Sequence, residues 1–383
     1  MDVEPARPAA PPAAPPFPAP RAATAPSVRC PFSLTAERIA HMLNLELADH
    51  PVYDGLELQW FDDDVHGTGM LAFLSRRAGR AVDYYAQPGL RLDPAGYRIG
   101  GGTRSWNETE FAVARLEVAD DGVDAHVRFT DVDGRAVEVR VLDRDGRKRR
   151  RAALLAPVSA AVERPESMLL VWMTDFDLVH VGPTRPVVRI EGQDAAIGRL
   201  PGERLHRRHL IKYAGSLCAV TLNRNHDGPL ATARDATGTG SAQSPDGSGD
   251  AGTAVLGADA DGHRARVVLD PALPDLTSVT DGATTTGRWR VTVDGARLTG
   301  GRWWVRRVGD RADLRLDVSE RWRPRRLPLL MQVVTTVAPV FRRWPTTYRW
   351  RARVELGPAP AMTSRWERVG GERGAGYRRL TGS

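Results

Sequence analysis

The feature that most constrains the fold is a run of Asp-Gly pairs at even spacing. The pairs Asp121-Gly122, Asp133-Gly134 and Asp145-Gly146 recur every twelve residues. Asp-Gly supplies the positive φ angles that tight hairpin turns need. Between the first two pairs apolar and polar residues alternate, with apolar side chains at Val123, Ala125, Val127 and Phe129. Period-two alternation between such turns predicts an antiparallel sandwich or barrel.

The C-terminal half of the chain repeats this pattern. Trp289, Val291 and Val293 precede an Asp294-Gly295 turn, and residues 348–356 alternate between apolar and mostly charged side chains. One apolar face and one charged face indicate a sheet that is wet on one side. We therefore predict a mainly β protein built from two consecutive antiparallel barrels or sandwiches with few short helices.

Helical patterns are rare. One predicted helix begins at a capping Thr35 and carries Ile39, Met42, Leu43 and Leu47 on one face. A second lies within Leu329–Phe341. Strands and helices do not alternate, and the chain has no GxGxxG or GxxxxGK[ST] motif. Nucleotide-binding α/β folds are therefore disfavoured, and no cofactor is predicted.

Composition divides the chain into five parts. Residues 1–31 hold ten prolines and nine alanines, and such a segment cannot bury enough apolar surface to fold. Residues 224–253 are rich in Gly and Ser, which is typical of a linker or long loop. We predict β domains at 32–223 and 254–370, and a frayed tail at 371–383.

The N-terminal prolines also bear on location. They interrupt the place where a secretory signal would have its apolar core, so we expect a cytoplasmic protein. The chain lacks an apolar run of about 18 residues, so no membrane-spanning helix is expected. Cys30 and Cys218 are expected to be free thiols.

The densest polar cluster lies in the segment Trp60–Gly69, which holds three adjacent aspartates and a histidine. Neighbouring carboxylates can bind a divalent cation or move each other's pKa values apart for acid–base work. The spacing matches neither an EF-hand nor an HExxH site, so a charged loop or barrel edge is favoured over a metal site. The candidates for a catalytic acid are Asp62, Asp64, His66 and, from a later strand, Asp177.

Aromatic residues are concentrated in the N-terminal half. The group consists of Trp60, Tyr84, Tyr85, Tyr97, Trp106 and Trp172. Such rings combine a large apolar area with one polar group, so a barrel lined by them suits a hydrophobic ligand. The alternative is that they fill an ordinary core. The predicted ligand contacts are Trp60, Tyr84, Tyr85, Trp106 and Trp172.

Signals for other chemistry are weak. No serine lies in a GxSxG elbow and no Cys/His arrangement is readable, so nucleophilic catalysis has little support. His206 and His209 have a spacing that on a helix can hold a metal, but no carboxylate triad accompanies them. A solvated basic turn is favoured there, and no metal site is predicted.

Residues 301–353 contain 14 arginines against four acidic residues, and they hold five of the ten tryptophans. The apolar stretch Leu327–Phe341 lies between basic flanks, which include Arg325, Arg326, Arg342, Arg343 and Trp344. Such flanks suit contact with an anionic membrane surface. A solvated sheet face with a hydrophobic plug closing the second barrel ranks first and lipid contact second. Nucleic acid ranks last, because Trp289 and Trp350 lie on the face opposite the arginines.

Two consecutive, Trp- and Tyr-rich β units over about residues 50–360 resemble the two-domain lipocalin-like family, which includes carotenoid 1,2-hydratases and some biosynthetic cyclases. The resemblance implies lipocalin-like barrels and an isoprenoid or polyketide ligand. It is architectural, and no catalytic residue is carried over from it.

These observations lead to three hypotheses. The first is a protein that binds an apolar small molecule, such as a lipid or isoprenoid. The second is a hydratase, isomerase or cyclase that uses an acid among Asp62, Asp64 and Asp177. The third is a peripheral membrane scaffold that is anchored through residues 322–344.

Overall fold

The computed structural model describes residues 28, 32–97, 99, 101–149, 151–158, 164–200, 202–230, 243–244, 252–324, 327, 329–337, 341 and 343–369. Within these residues the protein is mainly β, with two short α-helices and two curled half-barrel sheets. This architecture confirms the predicted fold class. The predicted tails, apart from Val28, lie outside the described residues, and so do Cys30, Arg325, Arg326 and Arg342.

Residues 34–222 contribute fifteen strands. They are β1 (Leu34–Ile39), β2 (His41–Glu46), β3 (Tyr53–Asp63), β4 (Gly67–Arg76), β5 (Val82–Ala86), β6 (Thr103–Glu108), β7 (Val113–Ala119), β8 (Gly122–Thr130), β9 (Ala136–Arg144), β10 (Ala152–Ala156), β11 (Met168–His180), β12 (Val187–Ile190), β13 (Gln193–Asp194), β14 (Arg208–Ala214) and β15 (Ser216–Leu222). A 3₁₀ turn spans Pro94–Tyr97, and helix α1 spans Glu203–His206.

These strands form two sheets. The five-stranded sheet has the order β13-β12-β9-β8-β7 and contains the predicted hairpins. Gly134, between β8 and β9, has a φ of 84°, as an Asp-Gly turn requires. The ten-stranded sheet has the order β1-β15-β11-β14-β2-β3-β4-β5-β6, with β10 beside β11. All neighbours in it are antiparallel except β5 and β6.

Three long segments of the ten-stranded sheet are interrupted at the same level. Ala40 separates β1 from β2, Gly215 separates β14 from β15, and Asp175 inside β11 has a φ of 53°. The pairing register of the first two segments is the same on both sides of the break, with Ile39 opposite Leu217 and Met42 opposite Ala214. A break of this kind in each segment changes which face the next side chains take, while the pairing between the segments is kept.

Residues 226–368 form the nine-stranded sheet, with the order β16-β24-β23-β22-β21-β20-β19-β18-β17. Its strands are β16 (His226–Pro229), β17 (Gln243–Ser244), β18 (Ala254–Ala260), β19 (His263–Asp270), β20 (Thr284–Val293), β21 (Ala296–Val308), β22 (Arg311–Glu320), β23 (Tyr348–Glu355) and β24 (Ala361–Arg368). Helix α2 spans Leu329–Val337, inside the second predicted helical segment. The fully buried Trp289, Trp303 and Trp350 lie on the inner face of this sheet.

The ten-stranded sheet is covered on both sides. On one side its β2–β5 region packs on the five-stranded sheet, while β1, β15 and part of β11 pack on the nine-stranded sheet. The opposite side carries Met42, Phe73 and Tyr84 and packs against Leu327 and Met331, the latter from α2. We call this second side the helix-covered face.

The predicted helix from Thr35 to Leu47 is wrong, because this segment forms β1 and β2. Ile39 and Met42 lie on the helix-covered face, while Leu43 and Leu47 lie on the opposite face. The break at Ala40 offsets the alternation by one residue, and a double-sided strand with such an offset imitates the spacing of a helix.

The predicted linker at 224–253 is described only in part. Residues 226–229 form the edge strand β16, and Leu230 is buried in a core shared with the ten-stranded sheet. Val28 of the predicted tail is buried in the same core, and its carbonyl accepts a hydrogen bond from the Leu276 N–H at 2.9 Å. The boundary between the two predicted domains stays a prediction, because this core includes residues from both.

Candidate functional site

A single row of side chains crosses the helix-covered face. Register pairing connects its members strand by strand, from β11 through β14, β2, β3, β4 and β5 to β6. The row consists of Leu178, Lys212, Asn44, Glu57, Phe73, Tyr84 and Trp106. Side chains that are directly opposite on neighbouring strands lie close together. The row therefore places Glu57 between a polar half and an aromatic half.

Glu57 is held by two amide side chains. Asn44 Nδ2 donates to Glu57 Oε2 at 3.1 Å, and Gln59 Nε2 donates to Glu57 Oε1 at 2.7 Å. Lys212 Nζ in turn donates to Asn44 Oδ1 at 3.4 Å and lies 3.6 Å from Glu46 Oε1. This network fixes the orientation of the carboxyl group.

Burial raises the pKa of Glu57 to about 7, although the hydrogen bonds from Gln59 and Asn44 and the charge of Lys212 lower it. Removal from water disfavours the charged carboxylate, and this effect exceeds the three opposing ones. The side chain nevertheless keeps part of its accessible surface. Glu57 can therefore exchange a proton near neutral pH while part of its surface stays accessible.

Gln59 contributes an unused acceptor. Its side chain is 7% exposed, and its Oε1 atom has no hydrogen-bond partner among the residues that the structure describes. Leaving a buried carbonyl oxygen without a donor costs about 1–3 kcal/mol. A bound molecule with a hydroxyl or N–H group can supply the donor.

The aromatic half of the row is closely packed. The Tyr84 ring centroid lies 5.2 Å from Trp106, 5.3 Å from Phe73 and 5.9 Å from Tyr97. The Tyr84 hydroxyl donates to the carbonyl of Tyr97. Burial raises the pKa of both tyrosines, so they stay neutral. This half provides an apolar wall beside the Glu57 carboxyl.

A second carboxyl on this face belongs to Glu37 of β1, two residues before Ile39. Burial raises its pKa, while His66 and Arg224 lower it. His66 Nδ1 lies 2.9 Å from Asp63 Oδ2, and its ring lies 5.3 Å from Phe61 on the helix-covered face. Burial opposes a lower pKa for Asp63, but hydrogen bonds from His66 outweigh it and lower the pKa.

The predicted acids do not gather at one site. Asp62 forms an ion pair with Arg38 at 2.5 Å, and Asp64 is exposed. Asp177 is buried on the side that faces the five-stranded sheet, where burial raises its pKa and Arg208 lies 3.8 Å away. The hypothesis that an aspartate supplies an acid inside the barrel stays a prediction, for which Asp177 is the buried candidate. Glu57 is the carboxyl enclosed in the row. His66 lies at the end of the face.

The predicted aromatic contacts are divided between the two sides of the sheet. Tyr84 and Trp106 lie together on the helix-covered face. Trp60 and Tyr85 pack towards the five-stranded sheet, with Tyr85 4.9 Å from Phe129, because they alternate with residues of the opposite face. Trp172 packs edge-on against Trp322 at 6.0 Å in the core shared with the nine-stranded sheet.

The described part of the apolar stretch buries one side, with Leu327, Met331 and Thr335, and leaves Val333 exposed. Leu327 and Met331 cover the ten-stranded sheet, so the predicted plug of the second barrel covers the first sheet instead. Trp344 is 4% exposed and packs in the core, which removes it as a membrane contact, whereas Arg343 is exposed. None of the helices in the described part of the chain is long and apolar enough to cross a membrane.

In the described ranges, no group of three or more His, Cys, Asp or Glu side chains is arranged to hold a metal ion. His209 Nδ1 lies 3.0 Å from Glu203 Oε1, the side chain of the first residue of α1. Comparison of the chain with protein-family models, curated proteins and solved structures gives no match. The candidate site therefore rests on geometry.

Glu57 is missing from the sequence-based candidates for a physical reason. It lies between Leu56 and Leu58, so alternation assigns it to the solvated side of a strand. Both sides of the ten-stranded sheet are covered there, so Glu57 and Gln59 of β3 remain largely inside. The available signal was Gln59, a second polar residue two positions along β3 and therefore on the same side as Glu57.

Proposed function

We propose that this protein binds an apolar small molecule that carries a hydrogen-bond donor, with the donor at Glu57 and Gln59 on the helix-covered face. The observation that carries the proposal is the buried Gln59 Oε1, which has no partner in the described part of the chain and lies next to a carboxyl group beside aromatic side chains. A lipid alcohol or an isoprenoid with a hydroxyl or amine group has this chemistry.

The aromatic half and the polar half of the row have different roles in ligand recognition. Contact with Phe73, Tyr84 and Trp106 favours an apolar body by about 25 cal/mol for each Å² removed from water. The amide and carboxyl groups discriminate, because a ligand without a donor leaves Gln59 Oε1 unpaired. Affinity then comes mainly from area and selectivity from the polar pair.

Extraction of the purified protein with organic solvent, followed by mass spectrometry, tests for a co-purifying ligand. The delipidated protein is then titrated with N-phenyl-1-naphthylamine, a fluorescent apolar amine, and with its N-methylated derivative, which lacks the N–H donor. We expect the N–H form to bind roughly 5- to 10-fold more tightly, as one hydrogen bond to a buried acceptor allows.

Two variants sharpen this test. Gln59→Leu should remove the preference for the N–H form while keeping binding of the methylated form. Glu117→Gln, on the exposed side of β7, is the matched control and should behave as the wild type. Absence of both a co-purifying ligand and probe binding, in a protein shown to be folded, contradicts the proposal.

A second candidate function is favoured by the pKa of Glu57. A carboxyl group with a pKa of about 7 beside aromatic rings is suited to protonate an alkene, since the rings stabilise a cation. The extracted ligand, incubated in D₂O with fresh protein, should then gain deuterium at carbon. Glu57→Gln should bind the same ligand without this exchange. Equal exchange by the variant excludes Glu57 as the acid.

A further inference from the structure

A chain of hydrogen bonds joins three residues that are far apart in sequence. Ser216 begins β15, His263 begins β19, and Asp294 lies in the turn between β20 and β21. Ser216 Oγ lies 2.7 Å from His263 Nε2, and His263 Nδ1 lies 2.7 Å from Asp294 Oδ2. These two hydrogen bonds connect the ten-stranded and nine-stranded sheets. They lie on the side of the ten-stranded sheet opposite Glu57.

We propose that Ser216 is the nucleophile of an acyl-transfer site that acts on carboxylic esters, with His263 as its base and Asp294 as the positioning residue. The arrangement matches the roles that define a Ser-His-Asp site, which is recognised by geometry and not by chain order. The proposal is independent of ligand binding at Glu57, because none of the three residues belongs to the row.

The acceptors determine how the histidine proton is placed. A carboxylate only accepts hydrogen bonds, so Asp294 Oδ2 holds the proton on His263 Nδ1. His263 Nε2 is then the acceptor for the Ser216 hydroxyl. Asp294 Oδ1 accepts the Arg264 N–H at 2.8 Å, which fixes the carboxylate. This tautomer is the one in which an imidazole removes a proton from serine.

Exposure fits the same roles. The His263 side chain is 7% exposed, whereas Asp294 is 34% exposed and Ser216 keeps part of its accessible surface. The base is therefore shielded while the hydroxyl stays within reach. Thr174 Oγ1 donates to the Ser216 carbonyl at 3.2 Å and anchors the backbone beside the break at Gly215.

The neighbouring charges favour an uncharged substrate. Arg38 lies on the same side as Ser216, opposite Cys218 in the register, and it pairs with Asp62 at 2.5 Å and Asp261 at 3.2 Å. Because two carboxylates already neutralise this guanidinium, it does not favour an acidic substrate. A neutral carboxylic ester fits this environment.

The reaction balances with water as the second substrate. Ser216 Oγ attacks the ester carbonyl carbon, forming an O–C bond as its proton moves to His263 Nε2. The bond to the alcohol oxygen breaks, and the alcohol leaves with that proton. Water then attacks the acyl-serine, His263 takes and returns one proton, and the carboxylic acid is released with the serine restored.

A fluorophosphonate probe tests the nucleophile in the full chain, because serine displaces its fluoride and forms a stable O–P bond. We expect peptide mapping to place the label on Ser216, and Ser216→Ala to abolish it. Ser278→Ala is the matched control, since that exposed hydroxyl donates to the Asp275 carbonyl and has no histidine partner among the described residues. Labelling of the control should match the wild type.

Reaction rates distinguish the proposed roles of His263 and Asp294 from a purely structural role. His263→Ala and Asp294→Asn should each slow labelling and p-nitrophenyl acetate hydrolysis by at least about 100-fold. Added imidazole should restore part of the rate to His263→Ala, which a purely structural histidine would not allow. Absence of label on Ser216 in a folded wild-type protein overturns the proposal, and so does equal labelling of the folded Asp294→Asn variant.

Discussion

The inner face of the nine-stranded sheet and the helix-covered face of the ten-stranded sheet are both buried, but they are built differently. The first is filled by Trp289, Trp303, Trp350 and aliphatic neighbours, while its charged residues lie on the outer side. The second encloses Glu57 in a row of polar and aromatic side chains. A carboxyl group that is buried in such a row costs free energy to desolvate, so its presence on the second face points to binding or chemistry there.

The largest expected effect concerns the apolar face. Trp350→Ala removes a side chain that is 1% exposed, so it should lower the free energy of unfolding by about 3–5 kcal/mol in chemical denaturation. Trp304→Ala is the control, because Trp304 is partly exposed on the other side, where Arg315 lies 5.6 Å above its ring. Its loss should be about 1 kcal/mol. Equal losses would mean that the two sides do not differ as described.

The next effect concerns pH. The pKa of Glu57 is about 7 in the folded protein and near 4.5 when unfolded, so the folded state holds the extra proton between these values. Stability from this group is therefore present below about pH 4.5 and is lost as pH rises through 7. The loss amounts to about 3 kcal/mol.

Chemical denaturation at pH 5 and pH 8 measures this loss as the change in the free energy of unfolding between the two pH values, compared between the wild type and the variants. Glu57→Gln should lack this component of the pH dependence, whereas the exposed-side control Glu117→Gln should keep it. The buried inner positions of β20, β22 and β23 hold apolar side chains, so these strands contribute no comparable slope. A pH dependence that is unchanged in Glu57→Gln would contradict the assigned burial of the carboxyl.

The smallest effect sharpens the role of the amide network. Asn44→Leu removes a donor to Glu57 Oε2, so it should raise the pKa of this carboxyl further, by about one unit. Carbon-13 NMR of the labelled glutamate side chains reports the titration midpoint directly. Asn107→Leu is the control, because Asn107 donates to the Tyr84 carbonyl and not to Glu57. A lower midpoint in Asn44→Leu would show that the contact is not made.

The sequence predicts the nine-stranded sheet well because one side of this sheet is exposed to water, so polar and apolar residues alternate along its strands. Residues 348–355 alternate strictly, since one side meets solvent and the other a core. The ten-stranded sheet is less readable, because both of its sides are covered and the break at Ala40 shifts the alternation. The same coverage hides Glu57 among apparently outward positions.

Long-range contacts explain what else the sequence leaves out. Ser216 and His263 are 47 residues apart, and His263 and Asp294 are 31 apart, with no local motif around any of them. Only the packing of two sheets brings them within hydrogen-bond distance. The sequence shows that aromatic residues are concentrated in the N-terminal half. It does not show which face of the sheet each ring occupies, because that depends on the pairing register of the strands.

The bend shared by β1–β2, β11 and β14–β15 also has a consequence for the integrity of the chain. Beyond the bend, Leu34, Cys218 and Val220 form one core with Trp289 and other residues of the nine-stranded sheet. A protein cut between Leu230 and Ala254 should therefore yield two fragments that each expose half of this core. Mixed together, the fragments should recombine into a non-covalent complex, and neither should remain monodisperse alone.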